Sequence, residues 1–350
     1  MIDKNLIIIF PFVVAFLATI IATPLSLILI RKMGILDDPK IHKHPAIIHT
    51  KPIPRGGGLP LFLGILIAGA IFLWPPNEIT IAVFFAGFIA LVVGLLDDKF
   101  DISPYIRFAT NILSALIVVS AGITVSFITN PFGGILFLNQ IEFLPQLISI
   151  VWIVWVMNML NWSKGVDGQM PGIVAISAIV IGMLSLRFPI IDQNNLISAQ
   201  LSFIIAGSSL GFLIFNFYPA KIFPGYSATA IYLLLAVVSI LSSAKLATAI
   251  LVMGVPMMDG LFTVFRRIMT GRSPFWHDKK HLHHLLLGLG LSQRKIALFY
   301  WLFSAILGSL ALVLSSRGKL FAIIMLLIIV GGGILYLSRF LKRTNGKTNI

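Results

Sequence analysis

The sequence predicts an all-α polytopic membrane protein of about eleven transmembrane helices, with its N-terminus outside and its C-terminus in the cytoplasm. Three observations predict it. Of 350 residues, 58% are hydrophobic and only 11% are charged, too apolar for a water-soluble globule. Eleven apolar runs divide the chain, and a bilayer core of about 30 Å takes about 20 helical residues to cross. The basic residues fall mainly in alternate gaps between those runs.

In chain order the runs are Leu6–Ile30, Leu59–Trp74, Ile79–Leu96, Phe108–Ile128, Leu144–Leu160, Ile173–Leu186, Ile197–Tyr218, Ala228–Leu241, Lys245–Phe262, Ile296–Leu314 and Leu320–Leu337. The first is too long for the apolar part of a signal peptide and has no positive segment ahead of it, so it reads as a retained span. The gaps after the first, third, fifth, seventh and ninth runs, with the C-terminal tail, carry 21 of the 26 lysines and arginines. The other side has only Lys4, Arg187, Lys245, Arg317 and Lys319. By the positive-inside rule the first set is cytoplasmic. All seven histidines then fall inside, with Asp37, Asp38, Asp97, Asp98, Asp101, Asp167, Asp259 and Asp278, although nothing in the charge rule required it. The expected organisation is one membrane domain, residues 1–338, with cytoplasmic loops at 31–58, 97–107, 161–172, 219–227 and 263–295, and a frayed cytoplasmic tail at 339–350. On the outer side, turn residues followed by an apolar run in Asn130–Asn139 suit a small hairpin.

Composition also excludes. With no cysteine there is neither a disulfide framework nor a thiolate metal site. The net charge of +14 sits mostly in the cytoplasmic gaps, where it serves orientation and anionic membrane lipid, so it does not indicate nucleic acid. No P-loop, dinucleotide glycine fingerprint or H-E-x-x-H zinc site is present, so any phosphate or metal chemistry is assembled from loops at helix ends.

Five polar intervals offer that chemistry. Pro256–Lys295 holds His277, His281, His283 and His284 beside Arg266, Arg267, Arg272, Lys279 and Lys280. If residues 276–287 are helical, His277, His281 and His284 share one face, suited to phosphate oxygens; a basic juxtamembrane helix on anionic lipid has the same composition. Gly34–Gly58 carries His42, His44 and His49 and the stretch Pro54-Arg55-Gly56-Gly57-Gly58. Its glycines allow close backbone approach and Arg55 can clamp a phosphate, yet a proline- and glycine-rich connector reads the same. Asp97 and Asp98 end the third run, where adjacent acids repel and call for a bound cation or a catalytic use. Capping explains one of them but not readily both. Asn158 and Asn161 lie one helical turn apart before Lys164 and Asp167, and amides at that depth need partners, either a pocket or another helix. Phe223–Ser227 is a tight turn opening the eighth run.

Taken in order, Asp38-Pro39, Pro54-Arg55-Gly56-Gly57, Gly94-x-x-Asp97-Asp98, Arg107, Asn158-x-x-Asn161, Gly165-x-Asp167-Gly168, Asp259, Arg266-Arg267 and Asp278…His281-x-His283-His284 resemble the polyprenyl-phosphate sugar-1-phosphate transferases of glycosyltransferase family 4. That family includes the initiating enzymes of common-antigen and teichoic-acid synthesis and, more distantly, phospho-MurNAc-pentapeptide transferase. The resemblance implies eleven helices, a cytoplasmic site, and transfer of a sugar 1-phosphate from a UDP-sugar to polyprenyl phosphate with release of UMP, initiating a cell-envelope glycan. It further implies Mg²⁺ at Asp97 and Asp98, with Asp97, Asp98 and Asp167 as catalytic residues. Substrate would be held by Arg55, Arg107, Asn158, Asn161, Lys164, Arg266, Arg267, His281, His283 and His284; some relatives form homodimers.

Two residues depart from the pattern. The family usually has aspartate where this chain has Lys164, and a metal-binding aspartate where it has Tyr226. Together they change the local formal charge by about +3, which reduces the expected dependence on Mg²⁺. The alternatives are a catalytically silent relative that binds carrier or nucleotide-sugar as a scaffold, and a transporter. Against the transporter, the ionisable residues gather at helix ends instead of lining a mid-membrane path.

Overall fold

The structure, a computed structural model, describes residues 5–39, 49, 51–187, 192–241, 246–276 and 278–345. His42, His44 and His277 lie outside the described residues, as do Lys4 and Lys245. Within them the chain is a bundle of helices with two short antiparallel hairpins. A π-helical turn at Asn5–Ile9 leads into α1 (Phe10–Lys32). The first hairpin, β1 (Leu36–Asp37) with β2 (Ile53–Pro54), joins α1 to α2 (Gly58–Phe72). Then come α3 (Glu78–Phe100) and α4 (Pro104–Ser120), the second hairpin β3 (Phe127–Thr129) with β4 (Ile135–Phe137), and α5 (Leu144–Trp162). The remainder is α6 (Gln169–Ser185), α7 (Gln193–Asn216), α8 (Thr229–Leu241), α9 (Leu246–Val252), α10 (Gly254–Met269), α11 (Leu282–Gly288), α12 (Gln293–Val313) and α13 (Ser316–Asn345).

Every apolar run contains a helix, and among the described residues six helices are long and apolar enough to cross a membrane; α9 and α10 make a seventh if counted together. The helices α2, α4, α6 and α8 are shorter. The bundle is packed as a lipid-embedded protein requires. On α1 the buried positions are Pro11, Ala15, Thr19, Ala22, Thr23, Ser26 and Ile30, most of them small, while Leu17, Ile21, Leu25 and Ile28 face outward. Small residues let backbones approach, and hydroxyls tie them: Thr19 Oγ1 donates to Ser208 Oγ at 2.9 Å, and Ser208 donates to the Leu61 carbonyl at 2.9 Å, linking α1, α7 and α2. The whole of α8 is buried, walled by α3, α5 and α7, so the turn that opens it is held from several sides.

Four expectations are corrected. The ninth run is not one straight helix, because α9 and α10 meet at 90°. Pro256, in the first turn of α10, has no N–H for the Val252 carbonyl and its ring crowds that oxygen. The fourth run ends at Ser120, where Gly122 turns with φ +87°, and Phe127 and Ile128 belong to β3. The tail does not fray at Arg339, since α13 continues to Asn345. Finally, Trp276 and residues 278–281 are not helical: His281 is extended (φ −67°, ψ 150°) and α11 starts at Leu282. The hairpin expected near Asn130 is present, with Thr129 opposite Ile135.

Candidate active site

The C-terminal end of α3 presents two acids with different surroundings. Asp98 is wholly enclosed, and its carboxylate accepts the backbone N–H groups of Tyr226 at 2.6 Å and Ser227 at 3.1 Å. Gly225, with φ +69°, makes this possible: a Cβ there would run into the Asp98 carboxylate, and its backbone conformation is one L side chains rarely adopt. Arg55 Nε approaches Asp98 at 3.6 Å, brought there by the β1–β2 pairing, and its Nη1 is 3.9 Å from Asp37. Asp98 therefore anchors the 224–227 turn and is not among the residues lining the cleft. Asp97 does line the cleft. Arg107, one turn into α4, sets Nη1 3.3 Å from each of its oxygens, and Asp97 Oδ1 receives no well-directed hydrogen bond.

Lys164 and Tyr226 meet beside these acids. Lys164 Nζ lies 5.8 Å from the Tyr226 ring centroid and Arg107 Cζ lies 5.2 Å from the same centroid. Asn111 Nδ2 donates to the Tyr226 hydroxyl at 3.1 Å, fixing the ring. Burial pulls the Lys164 amine down to about 8, with Asp98 working in the opposite direction. Burial likewise pushes the Tyr226 phenol up to about 12, so it stays a neutral hydroxyl.

The loop between α5 and α6 closes one wall. Asn158 spends its amide on the Val154 carbonyl at 2.8 Å, whereas Asn161 Oδ1 is buried with no partner among the described residues. Asp167 accepts the Ala220 N–H at 2.9 Å and its own N–H donates to Gln293. Burial raises the Asp167 carboxyl, and the Ala220 N–H and His49 only partly offset that. Gly165 lies against the His283 ring with no room for a Cβ, so the histidine loop and the α5–α6 turn interlock.

The far wall carries the histidines. His281 Nδ1 pairs with Asp259 at 3.1 Å, and the rings of His281 and His283 stack at 5.7 Å with 9° between planes. Burial, then His284 and His281, hold His283 well below the usual imidazole range, and burial brings His284 down to about 4. Both are neutral at pH 7, so they offer hydrogen bonds to a phosphate instead of charge. Arg266 and Arg267 share Asp278 at 2.9 and 3.3 Å, and Arg267 also donates to the Pro274 carbonyl. At Asp278 burial opposes the charge, but the Lys280 N–H and the two guanidiniums outweigh it and hold the carboxyl below its usual range.

All of this surrounds one cleft of about 420 Å³. It brings together Arg55, Asp97, Arg107, Asn158, Asn161, Lys164, Asp167, Arg267, His281, His283 and His284, leaving out Asp98 and Arg266. Sequence reasoning gave no role to Asn111, which orients Tyr226, or to Gln293, which holds the Asp167 turn. Asp259, which orients His281, was detectable as an acid inside an apolar run, where it must have a partner.

The donor set suits Mg²⁺ poorly. Among the described residues no three acidic or histidine side chains gather as metal ligands. Among the described residues the open oxygens of Asp97 and Asn161 are in its favour, but Asp98 is committed to backbone N–H groups. Arg55, Arg107 and Lys164 already face Asp97, Asp98 and Asp37, and the residue beside them is a neutral phenol.

The glycosyl transferase family 4 model matches residues 80–243, from the start of α3 to just past α8. A probable undecaprenyl-phosphate N-acetylglucosaminyl 1-phosphate transferase of Bacillus subtilis is 31% identical over 341 residues, covering 94% of this chain and 92% of the relative. A decaprenyl-phosphate N-acetylglucosaminephosphotransferase of Mycobacterium tuberculosis is 32% identical over 292 residues, 74% of this chain and 71% of its own length. An undecaprenyl-phosphate alpha-N-acetylglucosaminyl 1-phosphate transferase of Thermotoga maritima is 28% identical over 324 residues, with 91% and 94% covered.

Proposed function

The chain belongs to the polyprenyl-phosphate N-acetylhexosamine-1-phosphate transferases of glycosyl transferase family 4, and from that membership we propose that its cleft takes a UDP-sugar as donor. It is a multi-pass plasma-membrane phosphotransferase that places a sugar 1-phosphate on polyprenyl phosphate. In our reading all eleven apolar runs cross the bilayer, with α9 and α10 together as one broken span. The N-terminus is outside and the cleft opens to the cytoplasm, where a soluble nucleotide-sugar arrives. The convergence of Arg55, Arg107 and Lys164 on a buried acid pair in one cleft is the observation that carries the proposal.

In the reaction an oxygen of the acceptor phosphate attacks the β-phosphorus of the donor. The bond from that phosphorus to the oxygen bridging the α-phosphate breaks, and UMP leaves with the electron pair. Two anions have to meet, so fixed cations and exact positioning supply the catalysis. Arg107 and Lys164 face the reacting phosphates, and Asp97 orients Arg107. The neutral His283 and His284 donate hydrogen bonds to the donor phosphates, while Asn161 reaches its sugar or base. Tyr105, Ile106 and Phe100, exposed and apolar beside the cleft, provide the approach for the isoprenoid chain.

The test is incubation of the purified protein with undecaprenyl phosphate and a panel of UDP-N-acetylhexosamines. UMP and a lipid-linked pyrophosphoryl sugar should form in equal amounts. Carrier-independent UMP release, or no UMP from any donor, would overturn the reading.

A further inference from the structure

We infer that this chain binds the pyrophosphate of its donor with protein cations and without a divalent metal, through a cluster built from Lys164, Arg107 and Tyr226. The inference rests on the transferase reading for the identity of the anion. Its geometry comes from three separate segments. Lys164 is on the turn after α5, Arg107 is in the first turn of α4, and Tyr226 precedes α8, yet both cations lie within 6 Å of the one Tyr226 ring, at 5.8 and 5.2 Å. A cation over an aromatic face is held electrostatically while its N–H groups remain free for an anion. Among the described residues Lys164 has no acid at ion-pair distance, so its ammonium is not already spent.

The same contacts explain why a metal has no good seat. A carboxylate in place of either Lys164 or Tyr226 would stand next to Asp97, and acids there would repel one another unless a cation joined them. This chain has a cation and a phenol at those two positions, which removes the repulsion and with it the need for an ion. Because Asn111 holds the Tyr226 hydroxyl and the Tyr226 N–H holds Asp98, the ring is fixed from both ends. The two departures from the family pattern are thus in contact and compensate each other.

Purified protein is titrated with inorganic pyrophosphate by calorimetry in excess EDTA and again in excess Mg²⁺, and with Mn²⁺ alone by electron paramagnetic resonance. Wild type should bind pyrophosphate within about two-fold equally in both conditions and should hold no Mn²⁺. Lys164→Met should weaken pyrophosphate about ten-fold or more at unchanged melting temperature, while Lys164→Arg should keep most of the affinity. The pair Lys164→Asp with Tyr226→Asp should acquire one bound Mn²⁺ and make pyrophosphate binding depend on Mg²⁺. If that pair does not fold, Lys164→Met and Tyr226→Leu decide, since losing the ring should also loosen the grip. Stoichiometric Mn²⁺ on wild type, pyrophosphate binding that requires Mg²⁺, or Lys164→Met binding like wild type would overturn the inference. UMP release abolished by EDTA would overturn it too, leaving the transferase reading intact. No turnover on any donor, with EDTA-indifferent pyrophosphate binding, would overturn that reading and leave this inference standing.

Discussion

The two ends of the cleft handle charge in opposite ways. At the histidine end Arg266 and Arg267 are paired with Asp278, and the Asp259 carboxylate is taken up by His281 Nδ1. At the aspartate end Arg55, Arg107 and Lys164 face Asp37, Asp97 and Asp98, the last of which is consumed by backbone N–H groups. A charge already paired has little left for a ligand, and breaking such a buried pair costs more than it returns. The histidine end therefore shapes the donor's seat, and the aspartate end supplies the field that acts on phosphate.

The sharpest way to break this contrast is at Asp98. Asp98→Ala strips partners from two buried N–H groups and from Arg55, a loss of about 3 kcal/mol or more. The expected outcome is a clear fall in melting temperature together with loss of turnover. Gly225→Ala should act alike, because its Cβ meets the same carboxylate. Asp97→Asn should differ: near-normal thermal unfolding, with turnover lowered about 100-fold as Arg107 loses its orientation. A stable but inactive Asp98→Ala would remove the anchor role and return Asp98 to the chemistry.

Next in size is the histidine end itself. Asp278→Asn removes the carboxylate that Arg266 and Arg267 share without touching the cleft's free cations, so the loop should loosen and the donor KM should rise about ten-fold with kcat nearly kept. Measured KM values for donor and carrier separate the alternatives. An equal rise for polyprenyl phosphate would move this loop to the carrier side.

How far the sequence revealed these ends differs for a physical reason. Apolar runs announce helices because the bilayer demands length and composition, and so every run contained one. The break between α9 and α10 was hidden because Met253 and Gly254 leave the run apolar; only Pro256 hinted at it. The histidine helix failed for a local reason, since Asp278 accepts the Lys280 N–H at 2.8 Å and turns the chain before Leu282. Residues of the polar intervals converge on one cleft, because lone acids and amides at helix ends need partners. Which partners they find is long-range information. Asp98 bonds a turn 128 residues away, and no periodicity could have assigned that capping role to Asp98 and left Asp97 open.

The smallest effect, and the finest probe of the contrast, is pH. His284 has its folded-state pKa lowered to about 4 from 6.5, by burial first and then by His281 and Lys279, with Asp259 and Asp278 opposing. An imidazole depressed in this way is neutral in the fold while the unfolded chain takes up its proton below 6.5. Between 6.5 and about 4 the unfolded state binds more protons, so stability falls as pH falls through that window and is unaffected by this group above it. His284→Gln cannot protonate. Its melting curve should therefore coincide with wild type at about pH 7.5 and above and lie higher between about pH 6 and 4.5, a gap read by thermal unfolding across that range. Parallel curves down to pH 4.5 would mean that solvent already reaches His284, and that the histidine end is as open to charge as the aspartate end opposite.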